Sequence, residues 1–180
     1  MSVDKNKESS SVFHIQRIYV KDISFSSPKS PSVFNQSWKP EVSFEVSTNH
    51  VEIKKNVYEV YLSLRIENKI ENEVVFTCNV VQAGIFTIEN LSEQDLEHTL
   101  GSYCPSTIYP YAREAVSSLV VKGSFPQLNL GPINFDAFYA AKKEKELAEK
   151  ENQSSSQSKS RKISDIAANK KTVTEEVDGN

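Results

Sequence analysis

The sequence predicts an α+β fold: a four-stranded antiparallel sheet, a meander with a crossing loop after its first strand, with helices packed on one face and a polar C-terminal tail. Three observations carry this prediction. Four runs between Val12 and Gln82 alternate their side chains at the two-residue period of a strand, most with short polar connections. Beyond Ser92 the apolar spacing changes to that of helices, and from residue 152 onward aromatic residues disappear among Ser, Lys, Glu and Gln.

The first run, Val12 to Phe25, places Phe13, Ile15, Ile23 and Phe25 in one alternating set and Ile18 and Val20 in the other, so strict alternation predicts a strand with apolar groups on both faces. Ser26-Ser27-Pro28-Lys29-Ser30-Pro31 then ends it, because proline supplies no backbone N–H and serine competes locally for backbone hydrogen bonds. Val33, Phe34 and Trp38 follow within a proline-bounded loop that has no clear period. Val42, Phe44 and Val46 alternate with serine and glutamate, the pattern of a strand with one dry and one wet face. A polar connection is expected at Asn49-His50, a third strand over Val57 to Glu67, a connection over Asn68 to Asn72, and a fourth strand over Glu73 to Gln82.

Ser92 with Asp95 is a helix-start pattern, and Leu96 and Leu100 share one face before Gly101, so a short helix is expected there. Pro110 at the start and Gly123 at the end bracket a longer helix. Asp136 is the expected cap of a last helix through Phe138, Tyr139 and Leu147. The domain therefore spans 12–151, between a disordered lead-in over 1–11 and a disordered tail over 152–180.

The 180 residues suffice for one such domain and its tail, and 38% hydrophobic content lies below the ~45–50% usual for globular chains, largely because of the ends. A formal charge of −3 gives no electrostatic reason to expect nucleic acid or an anionic membrane as partner. Residues 1–140 hold 12 basic and 16 acidic side chains, so charge-driven docking on the body favours a basic partner. No stretch approaches the ~20 apolar residues of a membrane span, and the polar first eleven residues lack the apolar segment of a secretory signal. A cytoplasmic location without membrane insertion is expected.

Catalysis finds little support. Asp95, His98 and Cys104 lie close in sequence, but Asp95 reads as a helix-start acid and no glycine-rich or oxyanion-forming segment accompanies them. His14, His50 and His98 are too scattered for a metal, and Cys78 and Cys104 have no ligand-like spacing, so no metal is assigned. With glycine only at 84, 101, 123, 131 and 179, no nucleotide-binding loop can be written, and no cofactor is expected. What stands out is apolar surface in excess: it packs on the core, or it is shared between subunits and partners.

Phe13 through Phe25 closely resembles the first strand of the bacterial SecB protein-export chaperones. Val57-Tyr58-Glu59-Val60, Gln82-Ala83-Gly84-Ile85-Phe86, Leu100 through Pro105, Pro110 through Glu114 and Gly123 through Leu130 look like that family's hallmarks in the same order, so the resemblance covers roughly residues 12–140. It implies an ATP-independent holdase, a homotetramer built as a dimer of dimers, that keeps exported precursors unfolded and hands them to the SecA motor. By resemblance, Phe34, Trp38, Val42, Phe44, Val46 and Tyr139 line an extended client groove, while Cys78, Val80 and Gln82 match tetramer contacts, so Cys78→Tyr is expected to split the tetramer into dimers.

Asp22, Ser26, Thr77 and Asn79 stand at the positions of the SecA-docking face. There the chain departs from pattern: Ser26 and Asn79 occupy positions that commonly carry glutamate, so docking is weakened or Glu67, Glu71 or Glu73 compensates. Two other readings compete. One is a hydrophobic small-ligand carrier in which Trp38, Phe44 and Tyr139 enclose a pocket; the other is a SecB-like chaperone dedicated to one client such as an antitoxin.

Overall fold

The computed structural model describes residues 10–149; the lead-in and tail expected over 1–11 and 152–180 fall, but for residues 10 and 11, outside them. Of the described residues, 10–138 belong to one compact unit and 139–149 to a second. In the first unit, strands β1 (Val12–Ser26), β2 (Glu41–Lys54), β3 (Val57–Ile70) and β4 (Glu73–Glu89) form one sheet in the order β1-β4-β3-β2, every pair antiparallel. The last three strands form the meander. β1 lies against β4, and the loop after it carries the chain across to the opposite edge.

Strict alternation misassigns the middle of β1, residues 17–20. Register shifts between Ile15 and Arg17 and between Val20 and Asp22 each insert one extra residue, and each flips the side-chain set that follows. Phe13 and Ile15 thereby share a face with Ile18 and Val20, and then with Ile23 and Phe25, opposite Ile88, Phe86, Gly84, Gln82, Val80 and Cys78 of β4. Arg17, Tyr19, Asp22 and Ser24 line the other face. The expected two-sided apolar strand is thus one-sided.

β2 also departs from expectation, running unbroken through Asn49 and His50, which pair with Tyr61 and Val60. Partner strands override the weak strand preference of two polar residues. The turns fall instead after Lys54 and at Glu71-Asn72, whose φ values of 51° and 65° fit the tight hairpin turn that matches strand twist.

Ser92 caps α1 (Glu93–His98) by accepting the Asp95 N–H at 3.1 Å. No break follows. A π-helical turn (Thr99–Tyr103) leads straight into α2 (Cys104–Lys122), so Gly101 does not end a helix and Pro110 does not begin one. Pro105 follows directly on the π-helical turn and Pro110 lies farther along, so both prolines remove an N–H donor within the continuous helix. Both Pro110 and Ser106, the residue whose carbonyl loses its helical donor to the proline, are exposed.

Gly123 ends α2 with φ −75°, and the left-handed residue is Ser124 at φ 64°. Glycine is required at 123 for space: a Cβ there would stand 2.5 Å from the Phe25 ring. A further helix, α3, spans residues 135–149. Its cap is Asn134, whose Oδ1 accepts the Ala137 N–H at 3.1 Å, rather than Asp136. Asp136 instead accepts from Ser102 Oγ at 2.5 Å and faces His98 Nε2 at 2.9 Å, tying the start of α3 to the π-helical turn.

The core lies between α2 and one face of the sheet. It joins Val60, Leu62, Leu64 and Ile66 of β3 and Phe76, Cys78, Val80 and Phe86 of β4 to Ile108, Ala112, Val116 and Val120 of α2. Gly84 lets the helix approach closely, since a Cβ there would sit 3.0 Å from Ile108. No helix among the described residues is long and apolar enough to cross a membrane.

Candidate functional site

The crossing loop brings its large side chains back onto the helix-side face. A single turn of 3-10 helix, Ser32–Asn35, is fixed by Val33 N–H bonding Lys29 O at 3.0 Å, and Ser27 Oγ donates to Val75 O of β4 at 3.1 Å. The turn drives Val33 into the core and pitches Phe34 outward. Phe34 and Trp38 then rest on Phe125, with ring centroids 5.4 and 5.7 Å away, and Phe125 in turn packs on Phe76 at 4.9 Å and Phe25 at 6.2 Å. Phe125 is buried, yet Phe34 and Trp38 remain 49% and 38% exposed.

The same end of this face carries the apolar stripe of β2. Val42, Phe44 and Val46 lie opposite Asn68, Ile66 and Leu64 of β3, at the sheet edge; Val42 and Phe44 are 44% and 38% exposed. Five of the six residues expected to hold a client are therefore gathered at one end of one face. The sixth, Tyr139, lies on α3 in the second unit, half-buried, with Lys143 Nζ 5.3 Å from its ring centre. Within this region Asn68 is buried, and its Oδ1 is the one fully enclosed side-chain polar atom among the described residues without a hydrogen-bond partner.

Phe125 was not among the expected site residues, although it organises the aromatic cluster. A signal for it was present: an aromatic residue held between a helix-ending Gly-Ser and a proline has its position fixed by backbone on both sides.

The end of the opposite face nearest Ser26 is polar, whereas Val81, Ala83 and Ile85 of β4 lie farther along that face. Asp22, Ser26, Thr77 and Asn79 all lie on it, with Ser26 paired to Thr77 and Asn79 donating to Ser24 Oγ at 3.0 Å. Of the acids that could stand in for the missing charges, Glu67 lies beside Thr77 but is paired to Lys69 at 2.7 Å, Glu73 bonds Lys29 at 3.0 Å, and Glu71 sits in the hairpin turn. Lys69 holds the Glu67 carboxyl below its ordinary range.

Further along this face the bulge residue Lys21 folds over the sheet, donating to both Glu59 oxygens at 2.8 Å and lying 4.7 Å from the Tyr61 ring centre. The Tyr19 hydroxyl also donates to Glu59. Lys21, and then Tyr19, hold the Glu59 carboxyl below its usual pKa, while that same bond pushes the Tyr19 phenol up to about 12.

Cys78, Val80 and Gln82, the expected tetramer contacts, are on the helix-side face and buried within a single chain. A substitution at any of the three therefore acts first on the packing of α2 on the sheet. Burial pushes the thiols of Cys78 and Cys104 up to about 11 and about 12, which leaves them protonated and unreactive at neutral pH.

A sheet with one helix-covered face, an exposed aromatic cluster at the end of that face and hallmark motifs in order from Phe13 to Leu130 is matched by one family profile, described as preprotein translocase subunit SecB, over residues 6–146. The chain belongs to the SecB family. SecB proteins are chaperones rather than enzymes, in keeping with two unreactive thiols and an open apolar patch. Among solved structures, the chain is similar to the SecB-like chaperone Rv1957 of Mycobacterium tuberculosis in complex with a ChAD peptide from the Rv1956 HigA1 antitoxin. That match has a TM-score of 0.57 at 17% identity and covers 67% of this chain and 90% of the other, which shows a common fold. A protein of unknown function from Streptococcus agalactiae aligns with a TM-score of 0.38 at 10% identity, over 68% of this chain and 99% of the other.

Proposed function

We propose that this SecB-family chaperone is an ATP-independent cytoplasmic holdase that binds unfolded precursor proteins across Phe34, Trp38, Val42, Phe44, Val46 and Tyr139, keeps them translocation-competent and delivers them to SecA. The observation that carries it is the pair of aromatic side chains, Phe34 and Trp38, propped on buried Phe125 yet open to solvent beside the exposed stripe of β2. A small-ligand carrier needs an enclosed pocket; an open patch suits a long chain that offers many weak apolar segments. The chaperone works as a homotetramer, so that one client engages several patches and gains affinity by multivalency. The edge strand β1 supports self-assembly, since Phe13, Ile15, Val20 and Ile23 are exposed along its helix side.

The test is suppression of aggregation of an unrelated unfolded protein, with native mass measured in parallel. The wild type assembles and suppresses; a Phe34→Asp, Trp38→Asp double variant keeps its mass and loses suppression. A monomer that ignores unfolded protein refutes the proposal.

SecA delivery is the weaker arm, because the outer face lacks acids at Ser26 and Asn79 and its Glu67 is neutralised by Lys69. This favours a second reading, a chaperone dedicated to one client such as an antitoxin, the kind of peptide bound by the structurally similar Rv1957. Broad suppression with measurable SecA affinity supports the first reading, and tight binding of a single client without SecA affinity supports the second.

A further inference from the structure

Beyond Thr48 the helix side of β2 changes character. Thr48 is buried where the π-helical turn packs against the strand, and past it the residues on that side are His50 and Glu52, which pair with Val60 and Tyr58 of β3. Between this stretch of β2 and α1 lies a cleft of about 450 Å³, with Thr48 standing between it and the stripe of Val42, Phe44 and Val46. Its apolar lining comes from Tyr58, Leu96 and Leu100, while Glu52 projects from the strand and Glu93 and Glu97 from the helix. Three carboxylates face one imidazole, that of His50.

His50 and Glu97 are engaged with neighbours. Among the described residues, however, no basic side chain pairs with Glu52 or Glu93. Glu52 accepts the Asn56 N–H on Oε1 at 3.2 Å, in the turn that follows β2, which leaves its second oxygen for the cleft.

Tyr58 narrows what such a cleft suits. It is only 9% exposed yet lines the cleft, and among the described residues its hydroxyl has no hydrogen-bond partner. A buried hydroxyl left unpaired costs free energy, so whatever fills the cleft completes it. Burial, and then the charge of Glu52, push the Tyr58 phenol up, which keeps it neutral and able to accept as well as donate. Glutamates repel an anion, and a wholly apolar ligand would leave carboxylates and hydroxyl without partners. The complement is a cationic head on an apolar stem: its N–H groups donate to the oxygens of Glu52, Glu93 and Tyr58, and its methylenes cover Leu96 and Leu100.

We infer that the cleft between the end of β2 and α1 is a binding site for a cationic group on an alkyl stem, supplied by a free aliphatic amine or by a lysine or arginine side chain. The site is separate from the client patch, and the inference does not rest on the holdase reading. Its volume falls in the ~300–1,000 Å³ range of small-ligand sites. The chain itself carries candidate side chains close together at Lys159, Arg161 and Lys162.

The test titrates full-length protein with pentylamine and, separately, with pentan-1-ol, which has the same stem and no charge, and follows amide chemical shifts at residues 50–58 and 93–100. The amine is expected to shift these amides with a Kd on the order of 1 mM, and the alcohol to leave them unmoved. Tyr58→Phe and Glu93→Gln should each weaken the amine about fivefold or more, since each removes a partner of the cation, while both variants hold unfolded protein as the wild type does. Equal shifts with amine and alcohol, shifts with neither, or undiminished amine binding in either folded variant overturn the site; the first two comparisons use wild type alone and decide even where a variant does not fold. A peptide of residues 157–167 then separates the sources. Displacement of pentylamine at a tenth of its concentration or less assigns the cation to a protein segment, and displacement only at equal or higher concentration assigns it to a free amine; both uphold the site.

Discussion

The two faces of one sheet are built by opposite means. On the helix side, Val60, Leu62, Leu64, Ile66, Phe76 and Val80 are sealed by α2, and order comes from packing area. On the outer face order comes from side chains lying on their neighbours: Lys21 and Tyr19 on Glu59, Lys69 on Glu67, Asn79 on Ser24. Where α2 stops covering the helix side, apolar residues lie open at Phe34, Trp38, Val42 and Phe44, and the holdase proposal rests on that uncovered end. The outer face offers polar groups already engaged with one another and little net charge for a basic partner.

Four experiments would break or sharpen this contrast. The largest effect is expected for Phe125→Ala, which removes the ring joining the core to the patch. Urea unfolding should show a loss of about 3–5 kcal/mol, and emission from Trp38, the only tryptophan, should shift red as its support disappears. Unchanged stability and emission would mean that the cluster is not the structural link described. Gly123→Ala comes next, forcing a methyl group against the Phe25 ring; overpacking of this kind costs about 1–3 kcal/mol, read as a lower urea midpoint at constant slope.

Asn68→Leu works in the opposite direction. It replaces an enclosed amide with an unpaired Oδ1 by an apolar group of similar size, and stability should rise by ~1 kcal/mol. A fall would show that the amide makes a bond essential to the floor of the patch.

The smallest effect belongs to the outer face and depends on pH. The folded carboxyl of Glu59 titrates below its ordinary value because Lys21 and Tyr19 bond its ionised form. Its contribution is therefore present above the ordinary glutamate range and is lost as pH falls through the lower folded value. Thermal melts of wild type and Glu59→Gln should diverge at neutral pH and converge toward acid; parallel profiles would remove Glu59 from the account.

Much of the sheet was legible because its apolar residues recur at a two-residue period, imposed by burial from Tyr58 to Ile66 and kept on the exposed stripe from Val42 to Val46. The bulges of β1 were not, because an inserted residue has no fixed signature and shows only as a shift in register against β4. The continuous helix through Gly101 and Pro110 was missed for a related reason: local breakers predict ends, but packing of Leu100, Ile108 and Ala112 on the sheet outweighs them. Phe34, Trp38 and the β2 stripe came from family resemblance and the structure places them together, whereas Phe125, on which the aromatics rest, lay in what reads as a mere connector.

Alternation, helix caps and motif order, all written within a few residues of one another, determined by themselves the class of fold and the family. Tertiary structure alone decided which apolar residues stay open, because exposure is a property of what packs from elsewhere: α2 covers the middle of the sheet and leaves one corner of β2 and the crossing loop uncovered. It also decided that Gly123 serves space rather than backbone freedom, since the atom it makes room for belongs to Phe25, nearly a hundred residues earlier in the chain.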